Sequence, residues 1–385
     1  MKKTKVRHVL GISGGKDSAA LALYLKTRHP ELDVDYYTCD TGRELQETYD
    51  LIDRLDITLG KPIERLVAVR PKIDTPHEST FDHFLEKFGG FLPSSTARWC
   101  TQSLKLKPFE EHIGDEPTIS YVGIRGDEDR EGYISKKPNV QSIFPFRRNI
   151  WDEGLTLEVL SNKSREKFND CYGEIASQKK LKAAQYYLET PISMKFTSKQ
   201  KLSALLEVSV KTFNHAVFTY IKRYEDPNTR EIRPVGLLKS FPLVENEDVL
   251  KLDDIFQILE DSGVGIPAYY KERTYLVEID GEIKQGTYSR SRSGCFFCFY
   301  QQKIEWVWLY ENHRELFEKA KEYEKDGYKW MDNETLDQLS SPDRIEAIKK
   351  EHYLRMQRGI NKRNNQSWKE EIMEAEGIGC ASCFI

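Results

Sequence analysis

Residues 9–20 read Val-Leu-Gly-Ile-Ser-Gly-Gly-Lys-Asp-Ser-Ala-Ala, and this stretch constrains the fold more than any other. Val9 and Leu10 make an apolar lead-in that reads as the end of a buried strand. Ser13, Gly14, Gly15, Lys16, Asp17 and Ser18 turn the chain, and residues 19–24 have helix-forming composition. A glycine-rich turn between strand and helix aims backbone N–H groups and the positive helix end at one point, which suits phosphate. Two glycines let the backbone approach the anion closely. Lys16, expected to be exposed on the loop, adds a cation, and Ser13 and Ser18 add hydroxyl donors. A Walker A loop needs Ser or Thr directly after the lysine to hold magnesium; Asp17 stands there instead, so this is a different phosphate loop.

The first 150 residues alternate strand signals at 6–11, 33–37, 64–69 and 118–124 with helix signals at 18–27, 42–56 and 80–88. That alternation predicts a doubly wound, mostly parallel α/β sheet. Ligands of such sheets sit beyond the carboxyl ends of the strands. Residues 13–18 follow the first strand, Asp40-Thr41-Gly42 the second and residues 123–129 a later one, so the three loops should converge on one crevice. Residues 151–235 lose the alternation and read as a helical insertion. The core resumes over 236–310, and 311–385 reads as a helical, charged region with a cysteine-containing tail.

A length of 385 residues fits two or three domains, and 39% hydrophobic with 31% charged residues describes a globular chain with a wet surface. The net charge of −4 excludes a nonspecific polycation, so any nucleic-acid contact must use local patches. No apolar run approaches the ~20 residues of a membrane span. Residues 1–5 are not followed by the apolar stretch of a signal peptide, which gives a cytoplasmic expectation.

Asp40 after the second strand can bind ribose hydroxyls or magnesium, although Asp and Thr41 also suit an ordinary helix cap. Arg98, Lys105 and Arg125 are cations able to neutralise a triphosphate or grip an anionic substrate. Asp127 and Glu128 can hold magnesium or position a ligand.

Taken in order, these segments resemble a known family. Residues 13–18 resemble the SGGxDS pyrophosphate loop of the N-type ATP pyrophosphatases, which cleave ATP between the α- and β-phosphates and adenylate an oxygen of their substrate. The segment from Asp40-Thr41-Gly42 to Glu47-Thr48-Tyr49 looks like the DTG…ET segment of their phosphoadenosine phosphosulfate reductase branch. Arg98-Trp99-Cys100 with Leu104-Lys105 and Pro108, then Gly123-Ile124-Arg125-Gly126-Asp127-Glu128, then Pro242-Leu243, Asp248-Val249 and Ile266-Pro267 with Tyr269 and Tyr270, follow that branch's order. The resemblance covers roughly residues 5–150 and 236–310. It implies an adenine nucleotide alpha hydrolase-like fold and an ATP and magnesium site. Ser13, Gly14, Gly15, Lys16, Asp17, Ser18, Asp40, Thr41, Arg98, Lys105, Gly123 and Arg125 would hold the nucleotide. Lys16, Asp17 and Arg125 would serve catalysis.

Seven cysteines are present, and four of them form Cys295-Phe-Phe-Cys298 and Cys380-Ala-Ser-Cys383. In a cytoplasmic chain such pairs argue for metal or redox work. Two pairs can hold zinc tetrahedrally or an iron–sulfur cluster. The related adenylylsulfate reductases bind a 4Fe–4S cluster through a cysteine pair near the Cys100 position and a later Cys-x-x-Cys. Here Trp99 replaces one cysteine of the pair, and their Glu-Cys-Gly-Leu-His tail is absent. The resemblance implies Cys100, Cys295, Cys298 and one of Cys380 or Cys383 as ligands. The remaining tail thiol, Cys383 in the preferred assignment, would carry sulfur. Cys39 and Cys171 read as packing residues.

Residues 197–218 read as helix, tight turn, helix, with Leu202, Leu205, Leu206, Val210, Val217 and Ile221 fitting a helix-turn-helix core. Residues 195–224 carry six Lys or Arg against one acid. The pattern looks like a DNA-binding unit, with Lys199, Lys201, Lys211, Lys222 and Arg223 on phosphates and Asn214 and His215 near base edges. The bland alternative is a helical packing subdomain. A second basic run, residues 352–369, reads as a solvated helix face or a backbone-tracking patch.

The whole pattern is similar to the sulfur-transfer component of bacterial DNA phosphorothioation systems. It implies ATP-driven adenylation of a nonbridging phosphate oxygen before sulfur replaces it, with DNA, a cysteine desulfurase and other sulfur-modification proteins as partners and no membrane. A sulfonucleotide reductase, a tRNA thiolation enzyme and a non-catalytic nucleotide-sensing DNA-binding protein remain open alternatives.

Overall fold

Val9, Leu10, Ile119, Tyr121 and Ile143 are at most 1% exposed, as strands covered on both faces require. The computed structural model describes residues 5–68, 79–128, 135 and 137–362. In it, β1 (Arg7–Gly11), β2 (Val34–Cys39), β3 (Ile63–Leu66), β4 (Thr118–Tyr121) and β5 (Val140–Ile143) form one parallel sheet in the order β3-β2-β1-β4-β5. His8 lies opposite Val34 on one side and Ile119 on the other. The chain winds outward through β2 and β3, then returns to the far side of β1. The β1/β4 edge is therefore the topological switch point, where open α/β sheets bind ligands.

The connections carry α1 (Lys16–Arg28), α2 (Gln46–Leu59), α3 (Thr80–Lys87), the single turn α4 (Trp99–Thr101) and α5 (Lys107–Ile113). A π-helical turn over Gln102–Leu106 joins the last two. The chain is a doubly wound α/β protein, as its alternation predicts. Two features escape that reading: the short strand β5, and an antiparallel hairpin formed by β6 (Arg273–Ile279) and β7 (Glu282–Tyr288).

Between β5 and the hairpin lie α6 (Glu153–Leu160), α7 (Arg165–Ile175), α8 (Gln178–Glu189), α9 (Ser198–Val208), α10 (Val210–Arg223) and α11 (Leu252–Asp261). After the hairpin follow α12 (Lys303–Asn312), α13 (Arg314–Glu322), α14 (Leu336–Leu339) and α15 (Pro342–Lys362). Packing divides the chain differently from the sequence boundaries. Phe168, Tyr172, Phe213, Val217 and Ile221 of the insertion share one core with Leu21, Ile143 and Phe146 of the sheet layer. A second core joins Leu45, Phe81, Trp99 and Leu104 to the hairpin and to Trp306, Phe317, Leu336 and Ile348. A boundary at 310 would cut α12. Among the described residues no helix is long and apolar enough to cross a membrane.

Candidate active site

The turn after β1 is held in shape by its own serines. Ser18 Oγ accepts from Ser13 N at 3.2 Å and donates to Gly15 O at 3.2 Å, and the two hydroxyls lie 3.1 Å apart. Gly14 sits at φ +74°, where a side chain is strained, and a Cβ there would meet Thr48 Cγ2 at 2.2 Å. A Cβ on Gly15 would meet Ser293 Oγ at 2.8 Å. The loop is thus pressed between α2 and residue 293, with room for backbone only. Tyr269 donates its hydroxyl to Gly14 O at 2.9 Å from a third direction. Gly15 caps α1 with no side-chain hydrogen bond. The first-turn N–H groups, which a helix itself cannot satisfy, therefore keep no competing cap.

Lys16 and Asp17 are 1% and 2% exposed. The expectation of an exposed loop lysine is corrected: Lys16 opens α1 and its amine lies 3.2 Å from Asp17 and 4.9 Å from the centre of the Tyr270 ring. Arg125, read from sequence as a cation for an anionic ligand, is 0% exposed. Its Nη1 pairs with Asp17 and Glu128, each at 2.8 Å, and its Nε with Asp127 at 2.9 Å. Arg125 thus ties the loop after β4 to the start of α1. Gly123 makes this approach possible, because a Cβ there would sit 2.9 Å from Asp17 O. Burial pushes the Asp17 carboxyl up, but Lys16 and Arg125 outweigh it and hold it below the ordinary range.

The loop after β2 builds the other wall. Asp40 Oδ1 accepts from Gly42 N at 2.7 Å and from Tyr49 Oη at 3.0 Å. Thr41 donates to Glu44 at 2.7 Å and lies 3.2 Å from Cys295 Sγ. Burial, reinforced by Asp40, raises the Glu44 carboxyl above its usual range. Ser13, Asp40, Glu44, Tyr49, Lys105 and Gly294 face one crevice. Sequence reasoning missed Glu44, Tyr49 and Ser293 as wall residues; no local pattern announces that residue 293 will reach Gly15. Arg98 is half-buried at the N-terminus of α4 and is not among the residues facing this crevice.

Cys100, Cys295 and Cys298 line a neighbouring pocket with Phe81, Phe297 and Trp330, and Lys105 and Gly294 face both spaces. Burial pushes the Cys100 thiol up to about 11, and burial with Glu44 raises Cys295. Fully buried Arg290 pins this segment by donating to Cys295 O at 2.8 Å. Trp99, beside Cys100, stacks on Phe81 at 5.2 Å and donates to Phe91 O. Among the described residues no group of three or more His, Cys, Asp or Glu is arranged to hold a metal ion. Cys380 and Cys383 lie outside the described residues. Cys39 and Cys171 are buried, as expected of packing residues.

Two residues of the helix-turn-helix expectation, Lys201 and Asn214, are corrected, because both are buried. Ser209 ends α9 and caps α10, so one residue joins the helices. α10 buries Thr212, Phe213, Asn214, Ala216, Val217, Phe218, Tyr220 and Ile221 and keeps Lys211, His215, Thr219, Lys222 and Arg223 on its partly open side. Asn214 is 0% exposed and donates to Arg148 O at 3.0 Å. His215 faces Glu245 at 2.5 Å, Lys211 reaches Glu247 at 3.4 Å, Arg223 pairs with Glu174 and Lys222 donates to Lys239 O. Lys201 is 1% exposed and donates to Leu188 O and Thr190 O at 3.2 and 3.0 Å, capping the end of α8. Lys199 stays exposed in the first turn of α9. In the second basic run, His352 is buried against Tyr275 and Arg355 donates to Gln302. Arg363 and Lys369 lie outside the described residues.

Lys201→Met should lower stability by about 1–2 kcal/mol, because the buried Leu188 carbonyl and the partly buried Thr190 carbonyl lose their donor. Burial pulls the Lys201 amine down to about 8 from 10.5. The unfolded chain thus binds more protons between those values, and wild-type stability attributable to this group rises with pH across that window. Urea titrations of both proteins at pH 7.5 and pH 10 check the sign. Comparison with family models, curated proteins and solved structures finds no match for this chain.

Proposed function

We propose that the chain is an ATP pyrophosphatase that adenylates a nonbridging phosphate oxygen of DNA so that sulfur can replace it. The observation that carries this reading is the N-terminus of α1 at the switch point, capped by a glycine with no side-chain bond and preceded by Gly14 at φ +74°. An anion seated there would meet the backbone donors of the first turn and the positive end of the helix dipole.

In this reading the acceptor oxygen attacks the α-phosphorus, pyrophosphate leaves and stays on the residue 13–18 loop, and a sulfur nucleophile then displaces AMP. Ser13 and Ser18 shape the loop, while Lys16 places positive charge beneath it. Asp40 would meet ribose hydroxyls or magnesium. Cys100, Cys295 and Cys298 line one aromatic-walled pocket but, among the described residues, are not arranged as a metal-holding group; by donor chemistry alone, three thiols with a fourth from Cys380 or Cys383 would hold a cluster. A bound 4Fe–4S cluster would supply electron or sulfide chemistry beside the nucleotide; zinc is the alternative occupant. A cysteine desulfurase would supply the sulfur.

The burial of α10 and the pairing of its cations favour one second reading, a sulfonucleotide reductase that needs no DNA. Isotope exchange between labelled pyrophosphate and ATP separates the two. The favoured reading expects exchange that depends on duplex DNA. Exchange absent with DNA, together with reduction of adenylylsulfate or its 3′-phosphorylated form by a thiol, would replace it with the second.

A further inference from the structure

Residues 177–200 carry five lysines and one acidic residue, in a chain whose net charge is −4. The excess is displayed on one side of α8. Lys179, Lys182, Ala183 and Tyr186 follow the i, i+3, i+4, i+7 spacing of a single helix face, and each is exposed. The opposite face buries Ala184 and Leu188. Lys180 turns inward and donates to Ser209 at 3.0 Å and to Thr212 at 3.3 Å. Lys179 and Lys182 do not: among the described residues no hydrogen bond or ion pair engages either amine, and the same holds for the exposed amine of Lys195. The acid, Glu189, accepts from Gln185 at 2.9 Å.

An aromatic run joins this face to the turn before α9. Tyr186 is 68% exposed and meets the Tyr187 ring edge-on at 5.5 Å, and Tyr187 stacks on Phe196 at 6.4 Å. Ser193 and Phe196 close the turn by exchanging backbone hydrogen bonds of 2.9 and 3.2 Å, which puts fully exposed Met194 and Lys195 at its tip. Two large side chains thus stay in solvent beside three amines, a surface that a partner would cover. α9 then starts at Ser198, which lines a cleft with Glu128, the carboxylate that Arg125 ties to the α1 loop. The turn therefore stands on the side of the insertion that meets the loop after β4.

We infer that this face docks an unpaired stretch of the acceptor DNA, with phosphates on Lys179, Lys182 and Lys195 and a base on the Tyr186 ring. The inference rests on the adenylation reading and deepens it: the insertion receives the acceptor through α8. Amines in solvent track a phosphate backbone, and an exposed ring takes the π-face of any base. The helix rises about 10 Å from Lys179 to Tyr186, about three nucleotide steps of a stacked strand. A duplex keeps its bases stacked inside, so an unpaired stretch is what engages the tyrosine. An acidic peptide would engage the amines and leave the ring idle.

Binding of the full chain, without ATP, to a blunt duplex and to the same duplex with a single-stranded overhang tests this over a series of salt concentrations. The overhang is expected to tighten binding about tenfold. The triple variant Lys179→Gln, Lys182→Gln, Lys195→Gln is expected to lower the log–log salt slope for the overhang duplex by about 2, roughly 0.7 for each lost contact to a single strand. Lys271→Gln, Lys325→Gln and Lys350→Gln together remove the same charge from exposed sites elsewhere and are expected to leave the slope alone. Tyr186→Ala is expected to cancel the gain from the overhang without altering the slope, and Tyr186→Trp to keep it. Equal affinity for the two DNAs, equal slopes for wild type and the α8 triple variant, or equal slope losses in the two triple variants would overturn the inference. So would displacement of the overhang duplex by polyglutamate at matched charge. AMP formation is then measured on the same preparations with ATP, magnesium, a cysteine desulfurase and cysteine. No AMP from wild type with the DNA pattern intact would sink the adenylation reading and leave the docking face standing; AMP formation without the DNA pattern would do the reverse.

Discussion

Gly14→Ala is expected to abolish nucleotide binding and to cost the fold about 2–6 kcal/mol. A non-glycine residue at φ +74° carries ~1–3 kcal/mol of backbone strain. The added methyl would overlap Thr48 Cγ2, 2.2 Å away in a packed wall, and overpacking of this kind costs another ~1–3 kcal/mol. Either way out, a shift of α2 or a change of the loop's φ, moves the first-turn N–H groups. Thr48→Ser removes the colliding carbon and leaves the strained φ. The double variant Gly14→Ala with Thr48→Ser should therefore regain about half of the lost stability and little of the nucleotide binding. Thermal unfolding and calorimetric titration with ATP measure both. Full ATP affinity in Gly14→Ala would show that the backbone of this loop does not cradle the nucleotide.

Arg125→Met has the next largest expected effect, a loss of about 3–5 kcal/mol at neutral pH. The guanidinium is 0% exposed and faces three carboxylates, Asp17, Asp127 and Glu128, within 2.8–2.9 Å. Breaking a buried ion pair by removing one partner leaves uncompensated charge behind, and that outweighs any gain from the apolar replacement. The sign with pH follows from Asp17. Its native carboxyl is held below the ordinary range, so it contributes stability above its unfolded value that is lost as pH falls through the native one. In the variant the remaining cation is Lys16, and burial pushes Asp17 back up. The gap between wild type and variant should shrink as pH drops below about 4. Denaturant midpoints at pH 7 and pH 3.5 check this; a constant gap would remove Arg125 as the partner that keeps Asp17 ionised. Arg125→Lys, which keeps charge but not the fork, should recover only part of the loss.

How far the sequence announces these features depends on whether the signal is local. β1, the glycine turn and α1 follow from an apolar run, two glycines and helix formers, all within twelve residues, and the structure places them in that order with α1 opening two residues early, at Lys16. β6 and β7 carry a local signal too, since Asp280-Gly281 between alternating segments marks a hairpin, but polar β7 with Gly286 masks it. Lys16, Lys201 and Asn214 are different. Each looks solvent-facing by residue type. Each is buried because a partner from elsewhere in the chain satisfies it: Asp17 and the Tyr270 ring, the carbonyls ending α8, the Arg148 carbonyl. Thr212 is buried in the same way, beneath the Lys180 amine at 3.3 Å. A helix-turn-helix pattern and a buried helix pair share one apolar periodicity, and only the packing of α10 between α7 and residues 242–245 tells them apart. The candidate site divides along the same line. The loops after β1 and β2 face one crevice as the topology demands, whereas the loop after β4 meets the start of α1 through Gly123 and Arg125, and the role of Arg125 as an interior strut depends on three carboxylates whose convergence no spacing reveals.

The most direct measurement is the fate of ATP radiolabelled at the α-phosphate, incubated with anaerobically purified protein, magnesium, duplex DNA and a cysteine desulfurase with cysteine as the sulfur source. The proposed reading expects label in AMP, an equal yield of pyrophosphate, and loss of both in Gly14→Ala. Label in ADP with release of orthophosphate, or unaltered ATP that never binds the protein, would contradict it.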